Sequence, residues 1–345
     1  MKLQYKHQQF QIDAVDAVTS VFEGQPKQSK TSYMMDTGND KNILLDISEG
    51  FKNELISLSE DEILKNIKYV QKKNGLLQDS KLNKMDIGGK DKDTKIDNFR
   101  SSLTLAVEME TGTGKTYTYI KTMLELNKKY GWSKFIVVVP SVAIREGIAK
   151  TFDSTAEHFK REYGKSIRSF IYNSSSLEKI DAFASDAGIN VMIINTQAFN
   201  ARGADARRID MVLDQFRGRK PIDIIAATNP IMIIDEPQSV LGGTRSQLNA
   251  TRVGLAKFNP LFFVNYSATH RENYNMVYRL DAVDAYQKKL VKRISAKGIE
   301  MLGSNASNGY LYLESIKESP ALKARVSFEK ISSKGQVVKT FKLLD

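Results

Sequence analysis

Met109-Glu110-Thr111-Gly112-Thr113-Gly114-Lys115-Thr116 is the stretch on which the reading of this chain turns. An apolar run, Leu103 to Val107, precedes it, and a helical pattern of Tyr119, Ile120, Met123 and Leu124 follows. Strand, glycine loop, lysine and helix together make an anion cradle. Gly112 and Gly114 let the backbone turn tightly, so that several N–H groups point at one anion. The helix adds its positive N-terminal end. Lys115 then reaches the β/γ-phosphates of a nucleotide, and the Thr116 hydroxyl reaches Mg²⁺. The general pattern has Gly five residues before Gly114, where this chain has Met109. The competing reading is a glycine-rich turn without ligand.

From residue 103 onward apolar strands alternate with helical segments. Leu103–Val107 and Phe135–Val139 are each followed by a helix, the second starting near 142. Arg168–Tyr172, Val191–Asn195, Ile231–Ile234 and Leu261–Val264 continue the series. Short Ile/Val-rich runs of this kind suit an α/β fold with a mainly parallel sheet covered on both faces. Ligands of such sheets bind at the carboxyl ends of strands. The glycine loop sits at one such end, after Val107, and Asp235 sits at another, after Ile234.

The flanks read differently. Residues 8–22 form an amphipathic helix with Phe10, Ala14, Val15, Val18 and Phe22 near one face. Residues 27–50 look irregular. Ser59-x-x-Glu62 is a capping box, and Ile63, Ile67 and Val70 continue a helical stripe. Residues 78–100, with Gly88-Gly89-Lys90-Asp91-Lys92-Asp93, read as a polar, mobile surface loop. Residues 281–292 look helical. Tyr310–Leu313, Ala324–Phe328 and Val337–Leu344 look like strands, the last two joined by a turn at Ser333-Lys334-Gly335.

Composition bounds the classes. The 345 residues are 41% apolar and 26% charged, as in an ordinary globular protein of about two domains. No apolar run approaches the ~20 residues that span a membrane, so no membrane association is expected. There is no cysteine, which excludes disulfides and thiolate chemistry and fits a cytoplasmic protein. The three histidines, His7, His158 and His270, are far apart in sequence, which argues against a histidine metal site. A net charge of +11 is compatible with a polyanionic partner, and equally with a solvated basic surface.

Two further constellations carry chemistry. In Asp235-Glu236-Pro237-Gln238 a carboxylate at the end of a buried strand can hold Mg²⁺, and Glu236 can orient or deprotonate the water that attacks the γ-phosphate. The alternative is a strand-end turn with solvated acids. Ser267-Ala268-Thr269 follows another sheet strand, where small hydroxyl residues can couple the γ-phosphate site to a neighbouring surface through hydrogen bonds.

These three motifs, in this order, resemble the first RecA-like lobe of superfamily-two helicases and translocases. Thr111–Thr116 looks like motif I, Asp235–Gln238 like motif II and Ser267–Thr269 like motif III. The resemblance makes Lys115, Asp235 and Glu236 the catalytic candidates, Thr116 and Asp235 the metal ligands, and Gln238, Ser267 and Thr269 the coupling residues. Thr111, Gly112, Thr113, Gly114, Lys115, Thr116 and Tyr117 would hold the nucleotide. Phe10-Gln11 is placed like the glutamine that reads adenine, with Gln8 and Gln9 competing for the role and a plain surface glutamine as the alternative.

The local wording goes further. Met109 to Tyr117, Glu125-Leu126-Asn127, Tyr130-Gly131, Lys134 to Gly147, and Tyr278 to Tyr286 resemble the Res subunit of type III restriction enzymes, in which the first P-loop position is Met. That resemblance implies an ATP- and Mg²⁺-dependent translocase on double-stranded DNA that acts with a modification methyltransferase subunit and ends in a nuclease domain. Neither a second-lobe arginine-finger motif nor a nuclease core is found in the sequence. The reading is therefore a RecA-like P-loop NTPase lobe over residues 1–290. Residues 291–345 start a β-rich insertion or second lobe, a small carboxyl-terminal β element, with further domains after 345. Ser141 and Arg145 look like motif Ia; Thr196 occupies the place of a later DNA-contacting loop, and Arg202, Arg207 and Arg208 add charge nearby. Helix caps and a solvated helix are the alternatives for these. Two other functions stay open: a superfamily-two helicase outside restriction, and a DNA-binding module that ATP regulates without turnover.

Overall fold

The computed structural model describes residues 5–27, 31–33, 50–88, 100–174, 177–200, 205–212, 216, 218–241, 250–272, 274–292, 311–317, 323–331 and 337–344. The chain falls into two units, Met1–Lys292 and Arg293–Asp345. In the first unit the strands are β1 (Thr31–Tyr33), β2 (Gly50–Lys52), β3 (Lys84–Ile87), β4 (Arg100–Met109), β5 (Lys134–Val139), β6 (Ile167–Ile171), β7 (Ile189–Asn195), β8 (Ile231–Asp235), β9 (Phe263–Ser267) and β10 (Met276–Leu280). The helices are α1 (Gln9–Ser20), α2 (Glu60–Lys73), α3 (Lys115–Tyr130), α4 (Val142–Tyr163), α5 (Glu178–Ser185), α6 (Gln197–Asn200), α7 (Pro221–Ala227), α8 (Pro237–Val240), α9 (Ala250–Lys257) and α10 (Ala282–Gln287).

Eight strands form one sheet. Its main path runs β10-β4-β9-β8-β5-β7-β6 and is parallel throughout; β3 pairs antiparallel with the start of β4. Every residue of β5, β7, β8 and β9 is buried, because helices cover both faces. Successive side chains therefore enter two different cores. Phe135, Val137, Ile193, Ile233 and Val264 join Val18, Ile67, Met123 and Phe152 from α1 to α4. Ile136, Val138, Met192, Ile234 and Phe263 join Phe183, Ile225 and Leu255 from α5, α7 and α9. Burying each such side chain fully contributes about 1.5–3 kcal/mol.

The Ser59–Glu62 capping box starts α2 as its sequence implies: the Glu62 amide donates to Ser59 Oγ at 3.3 Å and the Ser59 amide donates to Glu62 Oε2 at 2.8 Å. Among the described residues no helix is long and apolar enough to cross a membrane.

Several expectations are corrected. The stretch 78–100 is not all loop: Lys84–Ile87 is a strand on β4, with Met85 and Ile87 fully buried and Lys84 and Asp86 partly open. Four residues of alternation inside a polar run were too few to announce a strand; residues 89–99 lie outside the described ones. In 27–50, Thr31–Tyr33 pairs with Gly50–Lys52, and residues 34–49 are not described. The strand expected at Leu261–Val264 runs instead over Phe263–Ser267, so Ser267 ends the strand rather than following it. The helix expected over 281–292 covers only Ala282–Gln287, capped by Asp281, whose side chain accepts from the Asp284 amide at 2.9 Å. Edge strand β10 was not expected at all.

In the second unit β11 (Leu311–Lys317), β12 (Lys323–Ile331) and β13 (Val337–Leu344) form an antiparallel sheet in that order. Tyr310 and the expected turn at Ser333–Gly335 lie outside the described residues.

Candidate functional site

β4 delivers the chain into the glycine loop. The Glu110 amide donates to Leu280 O of β10 at 3.0 Å, which ties the loop's entrance to the neighbouring strand. Thr113 donates to Glu110 O through both its amide, at 3.2 Å, and its hydroxyl, at 2.6 Å. Gly112 and Gly114 have φ of +83° and +89°, a region where a Cβ is strained. Gly114 has a second reason: a Cβ there would lie 2.5 Å from Gln11 Nε2. That buried amide donates to Thr113 O at 2.9 Å, so Gln11 braces the loop from below. α3 then starts at Lys115, with no side-chain cap among the described residues and no acid in its first turn, which leaves its first amides to an anion.

The strand-end acids meet the loop from β8. Asp235 is buried, and its Oδ1 has no hydrogen-bond partner among the described residues. Burial pushes its pKa up to about 6; the Lys115 ammonium opposes this and the Glu236 charge adds to it. Glu236 sits at φ +54°, an unusual conformation for a side chain of its size, anchored by its amide to Tyr266 O at 2.9 Å. Its Oε1 is paired with Lys115. Its Oε2 accepts from Gln238 Nε2 at 2.6 Å and from Ser267 Oγ at 2.8 Å. Burial raises the Glu236 pKa, but the bonds from Lys115, Gln238 and Ser267 outweigh it, and the net direction is down. The Ser267 hydroxyl also lies 2.9 Å from Gln238 Oε1 and 2.7 Å from Thr269 O, so its one proton has three acceptors. Thr269 contributes through its backbone, since its side chain is exposed.

Gln11, Thr111–Lys115, Asp235, Glu236, Gln238, Ser267 and Thr269 thus lie at one locality, with Thr116 half-buried in the first turn of α3. Tyr117 turns its side chain to another task. Its hydroxyl bonds His158 Nε2 at 2.8 Å, its ring stacks on Tyr5, and burial pushes its pKa up to about 12. The backbone amide is what it can offer a phosphate. Ser141 caps α4, its Oγ accepting from Ile144 N at 3.3 Å. Arg145 pairs with Glu146 at 3.0 Å, and its buried Nε has no partner among the described residues. The Thr196 amide donates to Val139 O at 3.2 Å. β5 and β7 are neighbours with Val139 opposite Asn195, so Ser141 and Thr196 emerge side by side. Arg202 and the Arg207 side chain lie outside the described residues; Arg208 is half-buried. Along the carboxyl edge of the sheet the order is therefore glycine loop, Ser267, Asp235, Ser141, Thr196. Sequence reading missed His270, whose Nε2 lies 3.1 Å from Val107 O; its position directly after Thr269 was the available signal.

The family model of the type III restriction enzyme Res subunit matches residues 4–272. The chain belongs to the Res subunit family. It is 33% identical over 299 residues to the EcoP15I Res subunit of Escherichia coli, covering 81% of this chain and 27% of that protein. It is 32% identical over 298 residues to the EcoPI Res subunit of Escherichia phage P1, with the same coverage. The chain spans about a quarter of the length of these Res relatives. Among solved structures, a nuclease-deletion mutant of the type ISP restriction-modification enzyme LlaGI with a DNA substrate mimic is similar at a TM-score of 0.33 and 15% identity, over 54% of this chain and 18% of that one.

Proposed function

We propose that this chain is the ATP-binding first lobe of a DNA-translocating motor in a type III restriction endonuclease subunit. It binds ATP with Mg²⁺ and double-stranded DNA, acts with a modification methyltransferase subunit, and works in the cytoplasm. One observation carries the reading: Lys115 of the glycine loop is paired with Glu236 beside an Asp235 oxygen that is buried and without a bond among the described residues. Membership of the Res family supports it.

Mg²⁺ fits this donor set, because a bare carboxylate oxygen and a threonine hydroxyl are hard oxygen ligands. Asp235 and Thr116 would hold the ion, which when bound neutralises charge on the phosphate oxygens. Lys115 passes from Glu236 to the β/γ-phosphates when ATP arrives. The freed Glu236 carboxylate then orients or deprotonates the attacking water. Gln238 and Ser267 keep it aimed through its other oxygen. Gln11 spends its amide nitrogen on Thr113 O, and its Oε1 is the atom offered to the adenine edge. Ser141, Arg145 and Thr196, with Arg202, contact DNA phosphates.

Two variants test this in the full-length protein. Lys115→Ala should weaken ATP binding by ~10-fold or more, the size of a charge-assisted bond. Glu236→Gln should bind ATP normally and abolish hydrolysis. An unchanged ATP affinity in the first variant overturns the reading; unchanged function in the second indicates a module that binds ATP without turning it over.

A further inference from the structure

His270 continues the segment that begins at Ser267. Its Nε2 lies 3.1 Å from the Val107 carbonyl. A carbonyl only accepts, so Nε2 carries the proton. Burial pushes the ring's pKa down, opposed by the Val107 bond and the Glu236 charge and aided by Arg279 and Lys115. The ring is therefore a neutral donor at Nε2 near pH 7.

Val107 lies on β4, two residues before Met109 and the glycine loop. Thr104, Ala106 and Glu110 of β4 bond toward β10, so Val107, of opposite parity, turns its carbonyl to the β9 side. There the imidazole donates to it, just beyond the end of β9. At the other end of the same segment, Ser267 reaches Glu236 at 2.8 Å and accepts from the Thr269 amide at 3.1 Å. Ser267 itself closes β9 opposite Glu108 of β4, and the residues beyond it are tied back to β4 by the imidazole.

We propose that His270 is a positioning residue for ATP hydrolysis: its bond to Val107 O fixes the turn beyond β9, whose Thr269 amide and carbonyl orient the Ser267 hydroxyl toward Glu236. His270 does not touch the nucleotide. The inference rests on the reading of Glu236 as the residue that activates water. When the latch is lost the Thr269 backbone drifts and the Ser267 hydroxyl loses its aim; Glu236, already parted from Lys115, keeps only Gln238, and the water is oriented less well. A displacement of ~1 Å in such a group can lower the rate ~10²-fold.

The test measures ATP turnover and ATP affinity separately in the full-length protein with DNA. His270→Leu should lower kcat by ~10- to 100-fold while the Kd for ATP stays within about twofold of the parent. His270→Gln should restore most of the turnover, because its Nε2 can reach where the imidazole Nε2 reached; His270→Asn is too short and should not. Adding Ser267→Ala to His270→Leu should cost little more than Ser267→Ala alone, since both act through one contact. A parent rate in His270→Leu, or equal rates in the Gln and Asn variants, overturns the latch. So does a loss of ATP affinity that glutamine does not repair, which would mark a general structural role. A parent that binds ATP and never hydrolyses it overturns the underlying reading instead, and the latch with it.

Discussion

Asp235 is held in a place that suits a cation better than it suits the free protein. A buried carboxylate with a bare oxygen is disfavoured in its charged form, and its pKa of about 6 expresses that. Its folded-state pKa lies above the unfolded value near 4. The folded protein therefore binds the extra proton more readily, and the stability this gives is full below pH ~4 and lost as pH rises through about 6. The penalty above pH 6 is about 2–3 kcal/mol. Asp235→Asn should accordingly melt several degrees higher than the parent at pH 7.5 without ligand, with the gain shrinking toward pH 4, while Mg²⁺-dependent ATP binding is lost. A variant that melts at or below the parent at pH 7.5 contradicts this. In the parent, Mg²⁺-ATP affinity should fall as the pH drops below about 6, because Asp235 takes up a proton.

At the level of elements, legibility follows burial. β5, β7 and β8 are covered on both faces, so their sequences are unbroken apolar runs that length and composition identify. The glycine loop was legible as a tight turn because Gly112 and Gly114 occupy positive-φ positions that few other residues could fill. β10 escaped because Arg279, exposed at a sheet edge, and a register shift break its pattern. β3 escaped because its partner is chosen by tertiary packing, with only Met85 and Ile87 facing inward. Order along the chain singles out Gln11 as a candidate adenine reader, but its brace on Thr113 O needs two segments 102 residues apart to meet. The strand reading of Lys84–Ile87 has a measurable consequence. Met85→Ala should destabilise the protein by about 2–5 kcal/mol in denaturant unfolding, as for other fully buried side chains. A surface loop would lose at most ~0.5 kcal/mol, and a value that small would remove β3 from the sheet.

For the molecule as a whole, the lobe gathers the glycine loop with Lys115, the strand-end acids and the Gln11 brace, yet the sequence carries no arginine-finger motif for the transition state of the proposed hydrolysis. A second lobe is the expected source, and such an arginine contributes ~10³–10⁵ in rate. The chain of 345 residues should bind ATP but turn it over that much more slowly than a protein extended through a second lobe, both assayed with duplex DNA. Equal rates would mean that the first lobe is sufficient. The family was legible from extended local wording around the loop, not from composition: a net charge of +11 is shared by many proteins that never meet DNA.

The order of sites along the carboxyl edge also sets a ruler. From β4 to β7 the path takes four strand steps, through β9, β8 and β5. At ~4.8 Å per step, the glycine loop and the Thr196 corner stand roughly 19 Å apart. Each step also rotates by roughly 20–25°, so the two ends look out in directions about a quarter turn apart. A rigid sheet can keep that span and angle constant through a catalytic cycle. In the proposed motor, any stroke along a duplex then comes from what moves against this lobe, and the lobe itself serves as the fixed bracket.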